Sequence, residues 1–423
     1  MSTSTRAVGT PPVTGRGLRL RWYICGLLFF ATTINYIDRQ VLGLLKPVIS
    51  RELGWTETDF GWIISAFQAA YAIMMPLAGR LVDWIGPKRG YAIAVVFWSL
   101  AAMSHSLARS VFQFATARFA LGLGESANFP AALRTVADWF PQEERALATG
   151  LFNSGTNIGA LVAPLAIPWI TVRFGWRPAF LFTSVLVVIW LILWFAGYRH
   201  PPAAVVAADS KPAARLPYMS LLSERRTWAY LAGKFLTDPV WWFYLYWLPG
   251  FLVKNYGLNI AAMGAPLVAV YLLADVGSVA GGWLSSSLLK RGLTANRARK
   301  TAMLVCAVAV TGVMFVPFTN GNLWFAVGLI GLAAGAHQGW SANLFTLPSD
   351  LFPQEAVASV VGIGGLGGAI SGALVAPMVG YWLDFSHDSY GPLFVVAGSM
   401  YLIALGLIHL IVPKLERRPG WAQ

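Results

Sequence analysis

Long apolar runs alternate with short polar segments along the whole chain. Twelve of these runs reach about 18 residues or more, which is the length that an α-helix needs to cross a bilayer. Runs this long and continuous exclude a β-barrel, whose strands alternate polar and apolar positions over about ten residues. The predicted spans are residues 22–45, 58–79, 90–108, 111–137, 145–171, 176–198, 227–252, 263–289, 299–317, 321–349, 355–384 and 390–412. The pattern predicts an all-α membrane protein with twelve transmembrane helices and both chain ends on one side.

An internal repeat divides these spans into two pseudo-symmetric six-helix bundles. Residues 138–143, DWFPQE, recur as DLFPQE at 350–355, and ALVAP at 160–164 recurs at 373–377. The offsets, 212 and 213 residues, are about half of the 423-residue chain. Parallel repeats of this kind are typical of transporters with a site between the halves. The predicted domains are an N-terminal tail (1–20), a six-helix bundle (21–198), a linker (199–226), a second six-helix bundle (227–412) and a C-terminal tail (413–423).

The chain has a net charge of +13, and the positions of its basic residues indicate what this charge interacts with. Of the 31 Lys and Arg residues, 22 fall on one side of the predicted membrane, six on the other and three within spans. This positive-inside bias argues for a lipid bilayer rather than a nucleic acid, and it predicts that both termini and the linker are cytoplasmic. We expect no signal peptide in residues 1–18. Cys25 and Cys306 lie within spans, where we expect packing residues and no disulfide.

The fourth span carries charge on one helical face. Arg118, Gly122 and Glu125 stand at i, i+4 and i+7, so they share that face. An Arg or Asp at the centre of a span costs about 2.5–3.5 kcal/mol against lipid. These side chains must therefore face a neighbouring helix or a water-filled path. A structural ion pair between helices is one interpretation; a proton and anion site on a translocation path is the one that we favour.

A cytoplasmic loop motif follows the second span. Residues 79–89, GRLVDWIGPKR, closely resemble the loop motif of the major facilitator superfamily, G-x-L-x-D-x-x-G-x-[KR]-[KR]. The related segment from Gly282 to Arg291 keeps the glycine and the basic pair but has Ser286 at the position of the aspartate. A carboxylate here can cap a helix or pair with a base in one conformation only. The residues predicted to act in gating are Gly79, Asp83, Gly86, Lys88 and Arg89.

Further motifs resemble one branch of that superfamily. NYIDR at 35–39, GLGE at 122–125 and DWFP at 138–141 are similar to the anion:cation symporter family. KFLTDPVW at 234–241 and AHQ at 336–338 are similar to the bacterial hexuronate transporters, and the similarity covers residues 20–412. Two positions depart from that pattern. Asp38, with Arg39, matches the sugar-acid and galactonate branch instead, and Lys234 replaces an arginine.

This resemblance implies that the first and fourth spans face each other beside a central cavity, with Asp38 able to pair with Arg118. A carboxylate beside an arginine stays ionised, whereas one that faces a dry cavity binds a proton more readily. Alternating access changes both conditions. Glu125 is the first candidate for the coupling proton and Asp38 the second. Arg39 can give two parallel donors to a substrate carboxylate.

Other polar and aromatic residues can contact a sugar acid, although helix packing is as good an interpretation for each one. The remaining substrate-binding candidates are Tyr36, Tyr71, Arg118, Asn157, Lys234, Trp241, His337, Gln338 and Asn343. Lys234 can instead extend toward the cytoplasmic interface. Asp238 can pair with Lys234 at i, i+4, just before Pro239, where we expect the helix to be interrupted. For Asp275, structural pairing and a proton relay are both open.

Together these features predict a proton-coupled symporter that imports a sugar-acid anion by alternating access. The resemblance points to a hexuronate such as galacturonate or glucuronate, or to an aldonate such as galactonate. We expect a monomer in the bacterial inner membrane, with the proton as coupling ion and with no metal or other cofactor. The sequence contains no Walker loop, HExxH or nucleophile elbow, which argues against an enzyme. The alternatives are an anion exchanger for an organic phosphate or another carboxylate and, with less support from its short tails, a transporter-like sensor.

Overall fold

The computed structural model describes residues 15–140, 142–199 and 217–416, and these residues form long helices joined by short turns. The helices are α1 (Gly15–Leu53), α2 (Glu57–Ile85), α3 (Pro87–Ser104), α4 (Val111–Glu125), α5 (Asn128–Trp139), α6 (Gln142–Asn153), α7 (Gly155–Phe174), α8 (Arg177–Gly197), α9 (Tyr218–Leu222), α10 (Arg225–Tyr256), α11 (Gly264–Lys290), α12 (Ala295–Val310), α13 (Leu323–Leu344), α14 (Leu347–Leu351), α15 (Gln354–Phe385) and α16 (Gly391–Ile411). Two 3₁₀ segments, His105–Leu107 and Thr311–Phe318, extend α3 and α12. The three described ranges contain no strand. Most of the predicted linker and much of both tails lie outside the described residues.

These helices build the twelve predicted spans, some of them in two pieces. The fourth span is divided between α4 and α5, the fifth between α6 and α7, and the tenth between α13 and α14. Pro130 and Pro348 stand in the first turn of the second pieces, where a residue without an N–H is tolerated. By contrast, α10 continues through Pro239. The expected interruption of the seventh span is therefore wrong, since neighbouring helices in a bundle tolerate a proline within a span.

Eight spans of the described chain are long and apolar enough to cross a membrane by length and composition alone. The first, fourth, seventh and tenth spans are not among these eight. They carry most of the charged and polar residues predicted for the site. The less apolar spans are therefore the ones that bring polar side chains into the bundle.

The repeated sequence marks the same structural boundary in both halves. In the first half α5 ends at Trp139 and α6 begins at Gln142; in the second half α14 ends at Leu351 and α15 begins at Gln354. The residue after each ending helix, Phe140 or Phe352, is extended and buried. The duplicated sequence thus produces a duplicated turn.

Glycines let α11 and α13 cross backbone against backbone. Gly277 and Gly281 on α11 face Gly335 and Gly339 on α13, and a Cβ atom at Gly281 would collide with the Gly339 backbone. Paired small residues four apart are a common way for membrane helices to approach closely. This crossing fixes the eighth span against the tenth, which carries His337.

The two halves are joined by buried charge at one end of the bundle. We call it the far end, because the described chain termini lie at the other. Glu57 at the start of α2 forms ion pairs with Lys46 of α1 and, across the halves, with Lys254 of α10 at 3.1 Å. Trp247 Nε1 also donates to Glu57 at 3.2 Å, and Lys254 continues to Asp388. Lys46 and Glu57 are both buried, whereas Lys254 and Asp388 are each 39% exposed. The network thus runs from a buried ion pair to the surface and links the two halves.

A helix cap adds to this far-end network. The carboxylate of Asp384, near the end of α15, accepts hydrogen bonds from the backbone N–H groups of Glu57 at 2.9 Å and Thr58 at 2.7 Å. These are among the free donors of the first turn of α2, where a negative charge is also favoured by the helix dipole. A residue of one half therefore caps a helix of the other, and the path between the halves is closed there.

The glycine crossing predicts a stability difference between two adjacent positions. Gly281→Ala should destabilise the protein by about 1–3 kcal/mol, because the new methyl group has to push α13 away. Gly282→Ala is the matched control, since a Cβ atom there meets nothing within 4 Å. Thermal unfolding in detergent should show a lower midpoint for Gly281→Ala alone. Equal midpoints for the two variants would contradict the close crossing.

The far-end network predicts that Glu57→Gln loosens the closure. Without the carboxylate, buried Lys46 loses its counterion and is repelled by the neighbouring Lys254. Distances between spin labels at the exposed positions Arg51 and Asn255 should then shift to larger values in a background without Cys25 and Cys306. Glu52→Gln is the control, because Glu52 pairs with Arg177 within one half and at the surface. An unchanged distance distribution in Glu57→Gln would remove the network from the closure.

Candidate functional site

A buried ion pair joins the first span to the fourth at the centre of the first half. Arg39 Nε and Nη2 donate to Glu125 Oε2 at 3.0 and 2.8 Å. Glu125 is 0% exposed and Arg39 8% exposed. Charge-assisted bonds of two donors to one carboxylate are strong and directional. Glu125 therefore occupies the donors that were predicted to bind a substrate carboxylate.

Aromatic rings surround the guanidinium of Arg39. Its Cζ atom lies 5.2 Å from the ring centres of Phe67 and Tyr71, 5.8 Å from Tyr36 and 5.7 Å from Trp242. A cation near aromatic faces gains electrostatic stabilisation that grows as water is removed. The rings therefore enclose the guanidinium while its Nε and Nη2 donate to Glu125. Trp242 belongs to the second half, so both halves contribute to this enclosure.

Arg118 and Asp38 lie beside this pair with part of their bonding capacity unused. Arg118 is 0% exposed and its Nη1 donates to the Arg39 carbonyl oxygen at 3.4 Å. Its Nε and Nη2 and one oxygen of buried Asp38 have no hydrogen-bond partner in the described chain. The two side chains attract each other, but they form no ion pair within 4 Å among the described residues. The pair expected between Asp38 and Arg118 is thus replaced by the pair between Arg39 and Glu125.

On the second half, His337 is held between two aromatic side chains. Its ring stacks on Trp241 at 5.1 Å with an interplanar angle of 9°. Its Nδ1 lies 2.5 Å from the hydroxyl of Tyr401. Trp241 Nε1 in turn donates to the Tyr36 hydroxyl of the first half at 3.0 Å. This row of groups brings the halves together at the level of Arg39.

Lys234 is already neutralised. Its Nζ lies 2.8 Å from Asp238 Oδ2, one turn further along α10, and 4.4 Å from the ring centre of Phe345. The ion pair expected from the i, i+4 spacing is therefore present. In this state Asp238 balances the positive charge of Lys234, so little of that charge is available to a bound anion.

The remaining polar candidates differ in how open they are. Asn343 is buried, and its Nδ2 donates to the carbonyl oxygens of Gly281 at 3.0 Å and Gly339 at 2.9 Å. This geometry favours its alternative role in helix packing. Asn157 and Gln338 are half-buried, and the Asn157 side chain accepts a bond from Thr156 at 3.2 Å. These two therefore stay candidates for substrate contact.

The predicted gating motif lies at the end of the bundle opposite the far end. Gly86 has φ 87° between α2 and α3, a conformation that glycine adopts without strain. Lys88 Nζ donates to the Tyr198 carbonyl oxygen at 2.7 Å, which ties the loop to the end of α8. Gly79 is half-buried near Pro130 and Arg89 is exposed. The side chain of Asp83 lies outside the described residues.

Sequence reasoning missed several residues of this arrangement. Phe67 and Trp242 were not predicted around Arg39, and Lys46, Glu57 and Lys254 were not predicted as an inter-half network. The available signal was weak: Lys46 and Lys254 lie close to span ends, where charge is ordinarily at the membrane surface. Among the described residues, no group of three His, Cys, Asp or Glu side chains could hold a metal ion.

Comparisons with known proteins agree with this architecture. The Major Facilitator Superfamily profile matches residues 28–376. The hexuronate transporter of Escherichia coli (strain K12) is 32% identical over 419 residues, which cover 95% of each protein. The galacturonate transporter of Dickeya chrysanthemi is 32% identical over 283 residues, covering 63% of this chain and 81% of that protein. A probable galactarate/D-glucarate transporter of Escherichia coli (strain K12) is 30% identical over 434 residues, covering 95% and 97%.

Solved structures share the fold at lower sequence identity. A bacterial homologue of the human lysosomal transporter Spinster, in an inward-facing and occupied conformation, superposes with a TM-score of 0.76 at 18% identity, covering 94% of this chain and 99% of that one. The D-xylose–proton symporter gives a TM-score of 0.72 at 15% identity, covering 93% and 98%. With its two related bundles and a charged site between them, the chain belongs to the Major Facilitator Superfamily and is a multi-pass membrane transporter, not an enzyme.

Proposed function

We propose that the protein is a proton-coupled symporter that imports a sugar-acid anion by alternating access. The observation that carries this proposal is the occupied state of Arg39. Its Nε and Nη2 bind Glu125, so Glu125 neutralises the positive charge of Arg39 and competes with a substrate carboxylate for these two donors. Protonation of Glu125 is the simplest event that removes its negative charge and frees these donors.

Proton and substrate then support each other's binding. Once Glu125 carries a proton, Arg39 lacks a counterion in a buried site, and a substrate carboxylate restores one. Conversely, an anion on Arg39 makes the neutral form of Glu125 more favourable. This reciprocal dependence is a coupling free energy between two ligands, the proton and the sugar acid.

Arg118 and Asp38 extend the same site. The two unpartnered nitrogen donors of Arg118 suit a second contact to the substrate carboxylate or to a hydroxyl beside it. Asp38 is a buried carboxylate next to Arg39 in the sequence. Because neighbouring carboxyls can bind a proton as a unit, we assign the coupling proton to Asp38 and Glu125 as a pair. Glu125 is placed first because it contacts Arg39 directly.

The substrate class rests on chemistry and on relatives. The relatives named above carry hexuronate, galacturonate and galactarate or glucarate in their names. Each of these sugar acids has at least one carboxylate for the arginines and hydroxyls for groups such as Asn157 and Gln338, with Trp241 available to contact a sugar face. An anion exchanger on this fold needs no carboxylate that binds a proton, so Glu125 and Asp38 favour symport.

Orientation follows from the charge distribution. The excess of Lys and Arg at the terminal end supports a cytoplasmic location for the chain ends, and in this orientation the far end faces the outside of the bacterial inner membrane. The closed far-end network makes this an inward-facing or occluded state. The Gly79–Arg89 loop would take part in closing the other end. We propose that the protein works as a monomer, since one chain contains both bundles and all of the residues of the proposed site.

Uptake into proteoliposomes tests the substrate class and the coupling together. Labelled galacturonate, glucuronate and galactonate are offered with and without an inward proton gradient. Accumulation of at least one above equilibrium, only with the gradient, is expected. If a demonstrably folded preparation accumulates none of them, the substrate class is wrong, and exchange with organic phosphates is tested next.

Glu125→Gln separates proton coupling from substrate binding. The amide imitates the protonated carboxyl, so counterflow should continue while gradient-driven accumulation falls to background. If Glu125→Gln loses counterflow as well in a folded protein, Glu125 acts in binding or structure instead.

Arg39→Lys tests the carboxylate site. It keeps the charge but loses the paired donors, and it should weaken substrate binding at least tenfold, on the order of 1.4 kcal/mol or more. Unchanged affinity in Arg39→Lys would remove Arg39 from the carboxylate site.

A further inference from the structure

Asp275 is a half-buried carboxylate in the eighth span that the proposed proton and carboxylate site does not use. On α11 it shares a stripe with Tyr271 and Ser278, at i−4 and i+3. The most exposed apolar residues of this helix, Leu272, Val276, Val279 and Trp283, form a stripe on the adjoining face. Asp275 therefore stands at the border between that exposed stripe and the face that carries Tyr271.

Those partners place Asp275 beside the centre of the path. The Tyr271 ring lies 6.3 Å from Trp241, which donates to the Tyr36 hydroxyl of the first half. Tyr36 in turn lies 5.8 Å from the guanidinium of Arg39. Asp275 thus stands one helical turn from Tyr271, whose aromatic neighbours lead across to Arg39 of the first half.

The charges around this carboxylate are unequal between the halves. Among the described residues Asp275 has no hydrogen-bond or ion-pair partner. The cation in α10, Lys234, is bound to Asp238 at 2.8 Å. Arg39 and Arg118 both belong to the first half. The first half therefore offers donors to an anion, whereas the second half offers an open acceptor and no free cation from these residues.

We propose that Asp275 accepts hydrogen bonds from the hydroxyl groups at the end of the sugar acid remote from its carboxylate. An ionised carboxylate is an acceptor with about four lone-pair sites, so it can bind two neighbouring hydroxyls at once. The same charge repels a second carboxylate. The protein accordingly selects sugar acids with one carboxylate over those with a carboxylate at each end. This inference rests on the proposed function, which supplies the carboxylate site on Arg39.

Galactonate and galactarate provide a matched pair of probes, because they differ only in whether the last carbon is a primary alcohol or a carboxylate. Both are tested as inhibitors of labelled galacturonate or galactonate counterflow, whichever the reconstituted protein exchanges. For the wild-type protein we expect galactarate to inhibit on the order of tenfold more weakly than galactonate, as two like charges within about 4 Å repel appreciably even when water screens them.

Asp275→Asn keeps the shape of the side chain and removes its charge. We expect galactarate to become several-fold more potent and galactonate several-fold less potent, so the ratio between them approaches one. Asp59→Asn is the control: it makes the same chemical change in the exposed capping box at the start of α2, and its ratio should equal that of the wild type. Reconstituted protein of each variant is checked for folding by its thermal transition.

Two results overturn the inference. The first is equal inhibition by the two acids in the wild type, and the second is an unchanged ratio in Asp275→Asn. If that unchanged ratio is accompanied by loss of gradient-driven accumulation, Asp275 is a proton relay instead. Failure of the proposed function looks different: no sugar acid would then exchange through the folded wild-type protein at all.

Discussion

The buried ion pair between Arg39 and Glu125 is the interaction on which the rest of the site depends. An arginine does not give up its proton in a protein, so its charge needs an anion wherever water is excluded. Glu125 provides that anion in this state, and a substrate carboxylate provides it in the transport cycle that we propose. The aromatic rings of Tyr36, Phe67 and Tyr71 stabilise the guanidinium without competing for its edge donors. Arg39 is thus held in place while its bonding partner remains free to change.

The cost of placing such charges in a membrane explains the uneven apolarity of the spans. Eight described spans are apolar enough to be recognised by composition, and the first, fourth, seventh and tenth are not. These four are every third span along the chain, and they carry Arg39, Glu125, Lys234 and His337. They can be less apolar because neighbouring spans shield them from lipid. The eighth span is apolar enough to cross on its own and yet carries half-buried Asp275. The binding of substrate hydroxyls that we propose for Asp275 would account for a charge in this span.

The sequence was sufficient to predict most of the fold and part of the site. Apolar runs located the spans, and the repeat around Asp138 and Asp350 marked a turn that both halves share. The spacing of Arg118 and Glu125 correctly placed them on one helix, but it could not tell which arginine binds the carboxylate. That choice depends on how α1 is rotated against α4, and the two pairing residues are 86 positions apart. The far-end network could not be predicted for the same reason. Glu57 and Lys254 are 197 positions apart, and each alone resembles an ordinary charge at a span end. Local sequence rules predict which residues share a helix face and where each helix ends. Which side chains pair between helices depends on how the helices pack.

The far-end network and the central pair obey the same physical rule and so constrain each other. In the far-end network Lys46 and Glu57 are buried, whereas Lys254 and Asp384 are exposed. If the halves separate there, water reaches the buried pair while Glu57 loses its bond to Lys254, so both changes favour further opening. The central pair reverses that dependence, because water or substrate entering from the far end gives Arg39 and Glu125 alternative partners. Buried ion pairs such as Arg39 with Glu125 and Lys46 with Glu57 are therefore stable while the protein is closed, and they exchange their partners for water or substrate when it opens. The alternating access that we propose requires this of a gate and a binding site that share the same helices.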